Sequence, residues 1–373
     1  MKTQTSGESQ EVPEATESST ALHGVPERIE ELDGIRGFAV LLVLFHHLSQ
    51  GNPAATGSRS LGIWLAVTHA GWLGVDVFFA LSGFLITRVL LGTKGRPRYY
   101  RNFYMRRILR LAPPYVITLF LVAVFIPNSK YFLLLSAVYL ANFSLQFGIP
   151  MVYGPLWSLA VEEHFYLIWP WLVRFIRLRT LFILALSIAI LSPLIRLFAL
   201  QHGFFHPYQS WFRFDGLLWG ATLAILLSSS GVTRKQIWIW STAVGTIGIV
   251  SFVIGAALGG MARASVAGST LSFGVVAMAT TGLIGYAALG IAPRTLAVLR
   301  NPVLRFFGDI SYWVYLFHYL AIDLIRRLVP TWGSDWAGYL KVTIIALSAS
   351  IITGIAVRRW IELPVLSLKS RFR

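Results

Sequence analysis

Ten stretches of this chain are apolar for about 20 residues each, the length an α-helix needs to cross the hydrocarbon core of a bilayer. They lie at 35–52, 68–91, 109–127, 156–173, 180–200, 212–229, 237–258, 268–290, 309–329 and 340–358. Inside hydrocarbon every backbone N–H and C=O must find its partner within the segment, so such runs fold as continuous helices. Charged residues make up 13% of the chain, against about 25% in soluble domains. The expected fold is therefore an all-α integral membrane protein, a bundle of about ten transmembrane helices. Residues 131–147 are apolar but interrupted by polar positions. They are read as re-entrant or interfacial; if they cross, the topology of everything after them inverts.

The acids are distributed unevenly. Eight of the 16 carboxylates fall between Glu8 and Asp33. Residues 1–33 thus read as a disordered, acidic cytoplasmic tail, 34–364 as the transmembrane domain and 365–373 as a short basic tail. No cationic stretch followed by an apolar run opens the chain, so it does not start as a signal peptide. The net charge of +16 would suggest nucleic acid in a soluble protein. Here, with the N-terminus inside, 22 Lys and Arg fall on the inner side and six on the outer. That asymmetry is the positive-inside bias, places both termini in the cytoplasm and leaves no case for nucleic-acid binding. The absence of cysteine excludes disulfides, thiolate metal sites and a cysteine nucleophile.

Ionisable groups at membrane depth are costly, so each is either paired or functional. Arg36 and His47 are eleven residues apart in the first helix. At about 100° per residue they share a face, and they stand about 16 Å apart along the axis, the two ends of one long ligand rather than holders of one atom. His46 is about 80° off that line, so His47 is favoured. Asp76, in the second helix, is a packing carboxylate or a site residue. Glu162 and Glu163 stand in an apolar run with Trp157 and Tyr166; a carboxylate beside aromatic rings suits sugar hydroxyls. Arg213 and Asp215 open another helix as a charged lining or a structural network. Ser311, Tyr315 and His318 share a face, with His318 read as a supporting, hydrogen-bonded residue. Arg106, Arg107 and Arg110 crowd an inner loop, where guanidinium forks suit phosphates. His202 and His206 have i,i+4 spacing without a nearby acid, too little for a metal site; no metal and no permanently bound cofactor are expected.

Read together, Leu32-Asp33-Gly34-Ile35-Arg36-Gly37 through His47, Gly74-Val75-Asp76-Val77-Phe78-Phe79 with Leu81-Ser82-Gly83-Phe84-Leu85, and the loop from Arg106 to Pro114 resemble the acyltransferase-3 family of integral membrane O-acyltransferases. Trp157-Ser158-Leu159 to Pro170, Ser311-Tyr312 to His318 and Glu362-Leu363-Pro364 extend the likeness over about residues 30–365. His164 departs from it, since glutamine is usual there. The resemblance implies about ten helices in a bacterial inner membrane and an acyl, often acetyl, group taken from coenzyme A. The implied acceptor is a hydroxyl of a carbohydrate or glycosylated molecule. It further implies that Arg36 and His47 act as a pair and that the arginine loop binds acyl-CoA; on this reading both are catalytic, His47 as general base or acyl carrier, and Glu162 or Glu163 orients His47 or binds the acceptor. Asp76, Trp157, Tyr166, Arg213, Asp215 and His318 would support the acceptor. A transporter of an anionic or glycosylated solute accounts equally well for buried charges and a basic mouth, but it predicts internal repeats, which the chain does not display.

Overall fold

The computed structural model describes residues 25–26, 28–50, 58–260, 265–291, 293–328 and 335–367. Most of the acidic tail expected over 1–33 and residues 368–373 of the basic tail lie outside them. The described chain is helical with no strand: α1 Glu30–Ser49, α2 Arg59–His69, α3 Gly74–Gly92, α4 Tyr99–Phe125, α5 Lys130–Ala137, α6 Leu156–Phe175, α7 Leu178–Gln201, α8 Phe214–Leu227, α9 Arg234–Ala257, α10 Val266–Ala288, α11 Pro302–Asp309, α12 Ser311–Leu328, α13 Trp336–Val357 and α14 Leu363–Ser367. Each of the ten apolar stretches coincides with one of these helices. Seven helical stretches among the described residues are long and apolar enough to cross a membrane, and α8 is apolar but short at 14 residues. The charges Glu162 and Glu163 in α6, and Asp323, Arg326 and Arg327 in α12, keep those two out of that set. The chain is an integral, multi-pass membrane protein.

Two boundaries differ from the expectation for one physical reason. Helix α1 starts at Glu30 and α4 at Tyr99, several residues before the apolar runs begin. Hydropathy marks only the part of a helix that lipid or core covers, whereas charged first turns extend beyond it. In α1 the acids Glu30, Glu31 and Asp33 sit in the first turn, where the helix dipole favours them. All three reach arginines: Glu31 pairs with Arg300 at 2.6 Å, Glu30 with Arg305 at 3.2 Å and Asp33 with Arg28 at 3.0 Å. The arginine "loop" is accordingly the start of α4. Segment 131–147 forms the eight-residue α5 and a 3₁₀ turn Ala141–Phe147, each far short of a span.

The bundle is tightest where small residues let backbones touch. A Cβ on Gly83 would collide with the Leu217 carbonyl, and one on Gly220 with the Ala80 carbonyl, so α3 and α8 cross nearly backbone to backbone. Gly37 and Gly308 seat α1 against α11 in the same way. On the other side α4 meets α6 through side chains. Tyr99 donates to the Pro170 carbonyl (3.3 Å), Tyr104 to the Leu167 carbonyl (3.1 Å), and Tyr100 stacks on Trp171 at 4.3 Å. The space left between α1, α3, α4, α6 and α12 is where the candidate site lies.

Candidate functional site

Three cavities succeed one another along the bundle. The first opens at the arginine-rich end and is lined by Arg96, Tyr99, Asn102, Arg106, Arg107 and Arg110. The second, central cavity shares Ile86, Arg107 and Arg110 with it and adds Arg36, Ser82, Ser158, Glu162, Tyr166, Ser311 and Tyr312. The third lies towards the other end, shares Val75 and Tyr315 with the second, and holds His47, Trp157, Tyr208, Arg213 and Tyr319. The central and outer cavities enclose about 890 and 1090 Å³ of empty space, open mouths included.

The arginines come from successive turns of α4. Arg106 and Arg110 are one turn apart and both line the first cavity. Arg107 faces inward: its Nε donates to Glu163 at 3.4 Å, and its guanidinium lies over the Tyr166 ring at 3.1 Å from the centroid. At the same mouth Lys94 donates to the Ile176 carbonyl at 3.1 Å. Burial, together with nearby Arg174, holds its ammonium below the usual lysine value. The central cavity is lined by three guanidiniums (Arg36, Arg107, Arg110) and one carboxylate, Glu162, while Asp33 pairs with Arg36 and Glu163 with Arg107 from outside the lining. Arg36 is held by Asp33 at 3.2 Å, and Ser82 hydrogen-bonds the Tyr166 hydroxyl.

His47 and Arg36 do share the inward face of α1, but they open into different cavities. The His47 Nδ1 stands 2.9 Å from the Val43 carbonyl and 3.0 Å from Nε2 of His318, a residue 271 positions later. The Tyr319 ring meets His47 edge-on at 5.1 Å. Trp157 and Tyr208, 5.0 Å apart, form an aromatic wall opposite. His46 also lines the outer cavity, but both its ring nitrogens are engaged, with Nδ1 2.7 Å from the His69 carbonyl and Nε2 2.8 Å from the Gln50 amide.

The remaining candidates divide cleanly. Glu162 lines the central cavity with Arg107 and Tyr166 rather than the outer cavity of His47, and Glu163 pairs with Arg107. Asp76 and Asp215 are consumed by ion pairs, with Arg213 at 2.7 Å and Arg196 at 2.9 Å, all four side chains buried. Of these, only Arg213 also reaches a cavity wall. Among the described residues no cluster of three His or acidic groups is arranged for a metal, and His202 bonds its own helix, at the Phe198 carbonyl, 2.8 Å. Tyr208, Tyr319 and Gln50 escape any reading by spacing. None has a motif around it, and each is brought in by a fold contact rather than by local periodicity.

Residues 29–355 match the family described as acyltransferase domain. The peptidoglycan O-acetyltransferase OatA of Listeria monocytogenes is 28% identical over 371 residues, covering 90% of this chain and 56% of its own. A putative peptidoglycan O-acetyltransferase of Bacillus subtilis, YrhL, is 36% identical over 161 residues, 38% of this chain and 23% of its own. A putative O-acetyltransferase of Staphylococcus aureus is 26% identical over 382 residues, 90% of this chain and 57% of its own. The chain thus spans about half the length of the first and third of these relatives. No solved structure matches it.

Proposed function

Since this chain belongs to the acyltransferase-domain family, we propose that it moves an acyl group, acetyl first, from acyl-CoA to a hydroxyl of a carbohydrate acceptor such as peptidoglycan. The observation that carries the reading is the run of three adjoining cavities that begins among arginines and ends at His47. A ligand with an anionic head and a long thin arm matches that sequence of environments. The donor's phosphates lie on Arg106, Arg107 and Arg110, and its arm runs through the central cavity past Arg36. The thioester reaches His47 between Val75 and Tyr315. Arg36 is therefore a donor-binding residue, and Glu163 keeps Arg107 in place. The acceptor occupies the outer cavity, where the faces of Trp157, Tyr208 and Tyr319 suit the C–H faces of a sugar ring.

In the transfer the acceptor oxygen attacks the thioester carbonyl carbon; the C–O bond forms and the C–S bond breaks. His47 takes the hydroxyl proton and returns it to the departing thiolate. In the two-step variant its nitrogen carries the acyl group between the two partners. The arginine-rich end faces the cytoplasm of a bacterial inner membrane, with both termini on that side, so donor and acceptor enter from opposite faces.

The test uses purified protein in detergent with acetyl-CoA, following binding and thiol release. Saturable binding weakened by Arg106→Ala/Arg110→Ala, with release abolished by His47→Ala, is the expected result. Folded protein that binds no acyl-CoA overturns the donor assignment.

A further inference from the structure

We propose that His318 is the positioning residue for His47, holding it in the tautomer with Nδ1 protonated and the Nε2 lone pair turned into the outer cavity. This rests on the reading of His47 as base or acyl carrier, and serves either, because both need an unprotonated nitrogen facing substrate.

Donors and acceptors decide the tautomer. A carbonyl oxygen only accepts, so the His47 nitrogen 2.9 Å from the Val43 carbonyl carries a hydrogen. The same holds for His318, whose Nδ1 is 2.9 Å from the Val314 carbonyl one turn back on α12. A neutral imidazole with Nδ1–H has its lone pair on Nε2. That lone pair of His318 is 3.0 Å from His47 Nδ1, which therefore shares its hydrogen between Val43 and His318. The opposite tautomers would press a lone pair against a carbonyl oxygen at both rings. All three distances agree on one assignment, and it leaves His47 Nε2 as the lone pair.

That nitrogen lies on the outer-cavity side of the ring. A Cβ placed on Gly154 would lie 4.0 Å from it, and Gly154 lines the same cavity. The neighbouring His46 is the contrast: both its ring nitrogens are engaged, by the His69 carbonyl and the Gln50 amide. His318 is fully buried, so it can orient His47 without bringing an anion into the membrane interior, where an isolated carboxylate is costly. When Nε2 gains a proton, the Nδ1–H stays on two acceptors, which steadies the imidazolium as a carboxylate does in a Ser-His-Asp triad.

Glutamine and asparagine separate this from a merely structural role. The amide of Gln reaches the place of a histidine Nε2, whereas that of Asn reaches only the place of Nδ1, beside Val314. With acetyl-CoA as probe and thiol release as readout, His318→Gln should stay within about threefold of wild type, and His318→Asn and His318→Ala should lose roughly 100-fold in kcat with KM unchanged. Nitrogen-15 NMR of histidine-labelled protein, with His47 identified by its loss in His47→Ala, should report the Nδ1–H form in wild type. It should report the Nε2–H form gaining ground in His318→Asn. Asn performing as well as Gln, or an Nε2–H His47 in wild type, overturns the proposal. Thiol release persisting in His47→Ala would instead defeat the base reading, and leaves the tautomer measurement to be judged by its own spectrum.

Discussion

The two flanks of the bundle treat buried charge in opposite ways. On the α3–α8–α10 flank, glycines bring backbones together and the charges there are paired with each other. Arg196 donates to the Thr270 and Phe212 carbonyls at 2.8 Å and to Asp215 at 2.9 Å. On the α1–α4–α6–α12 flank, tyrosine-to-carbonyl bridges hold the helices apart, and Arg36, Arg110, Glu162 and His47 open into the space between them. Charge in the first flank is a packing device; charge in the second meets whatever fills the cavities. The contrast can be broken by a substitution that changes stability where chemistry is expected, or chemistry where stability is expected.

The largest effect belongs to the packed flank. Arg196→Met leaves Asp215 as an uncompensated buried carboxylate and should cost about 3–5 kcal/mol of stability. Replacing Asp215 by Leu in the same protein should restore most of it, because two well-packed apolar groups need no partner. Thermal unfolding in detergent measures both. The folded fraction should release thiol from acetyl-CoA at the normal rate; a slow but stable Arg196→Met would erase the division between flanks.

His47→Ala should show the reverse. Removing a base or acyl carrier should cost roughly 10³-fold in turnover. Its effect on the fold should be small, because the ring's hold on the framework is one hydrogen bond shared between Val43 and His318, worth about 1 kcal/mol. Abolished turnover at near-normal melting temperature is the signature. A large drop in melting temperature would assign His47 to the framework, beside His46.

How much of the molecule is legible in its sequence follows from the same contrast. The helices are legible because lipid imposes a length and an apolar run on each of them, and the shared face of Arg36 and His47 follows from helix geometry alone. Which charge meets which is not. Asp76 meets Arg213 across 137 positions, and Arg107 meets Glu163 across 56. Equal depth in the membrane suggests that Glu162 or Glu163 orients His47. The structure instead places the His318 ring against it, because the inward angle of each helix, which depth does not encode, decides the partner. The places of Tyr208 and Tyr319 in the outer cavity are invisible in the sequence for the same reason.

A smaller effect is expected at the arginine mouth. Arg106→Ala and Arg110→Ala should each weaken acetyl-CoA binding about tenfold, near 1.4 kcal/mol, and raise the KM for acetyl-CoA while kcat holds. Both arginines line the first cavity, and of the two Arg110 alone also reaches the central one. The comparison sharpens if Arg110→Ala also lowers the affinity for a pantetheine thioester that lacks the nucleotide, whereas Arg106→Ala does not.

The smallest effect is at His164, which lies on α6 between Glu163 and Phe165 but turns away from the cavities. Its Nδ1 is 2.6 Å from the Ser210 hydroxyl, to which Asn142 also donates at 3.0 Å, and its ring tilts over Phe143 at 5.8 Å. The residue thus ties α6 to the Ala141–Phe147 turn and to the 3₁₀ turn at Ser210, a framework task that rests on one side-chain hydrogen bond, worth about 1 kcal/mol. His164→Gln, which restores the residue usual at this position in the family it resembles, should change stability by no more than about 1 kcal/mol and leave thiol release within about twofold of wild type. A large change in acceptor preference would carry the outer cavity around the back of α6, and the boundary between framework and site would then run through that helix rather than along it.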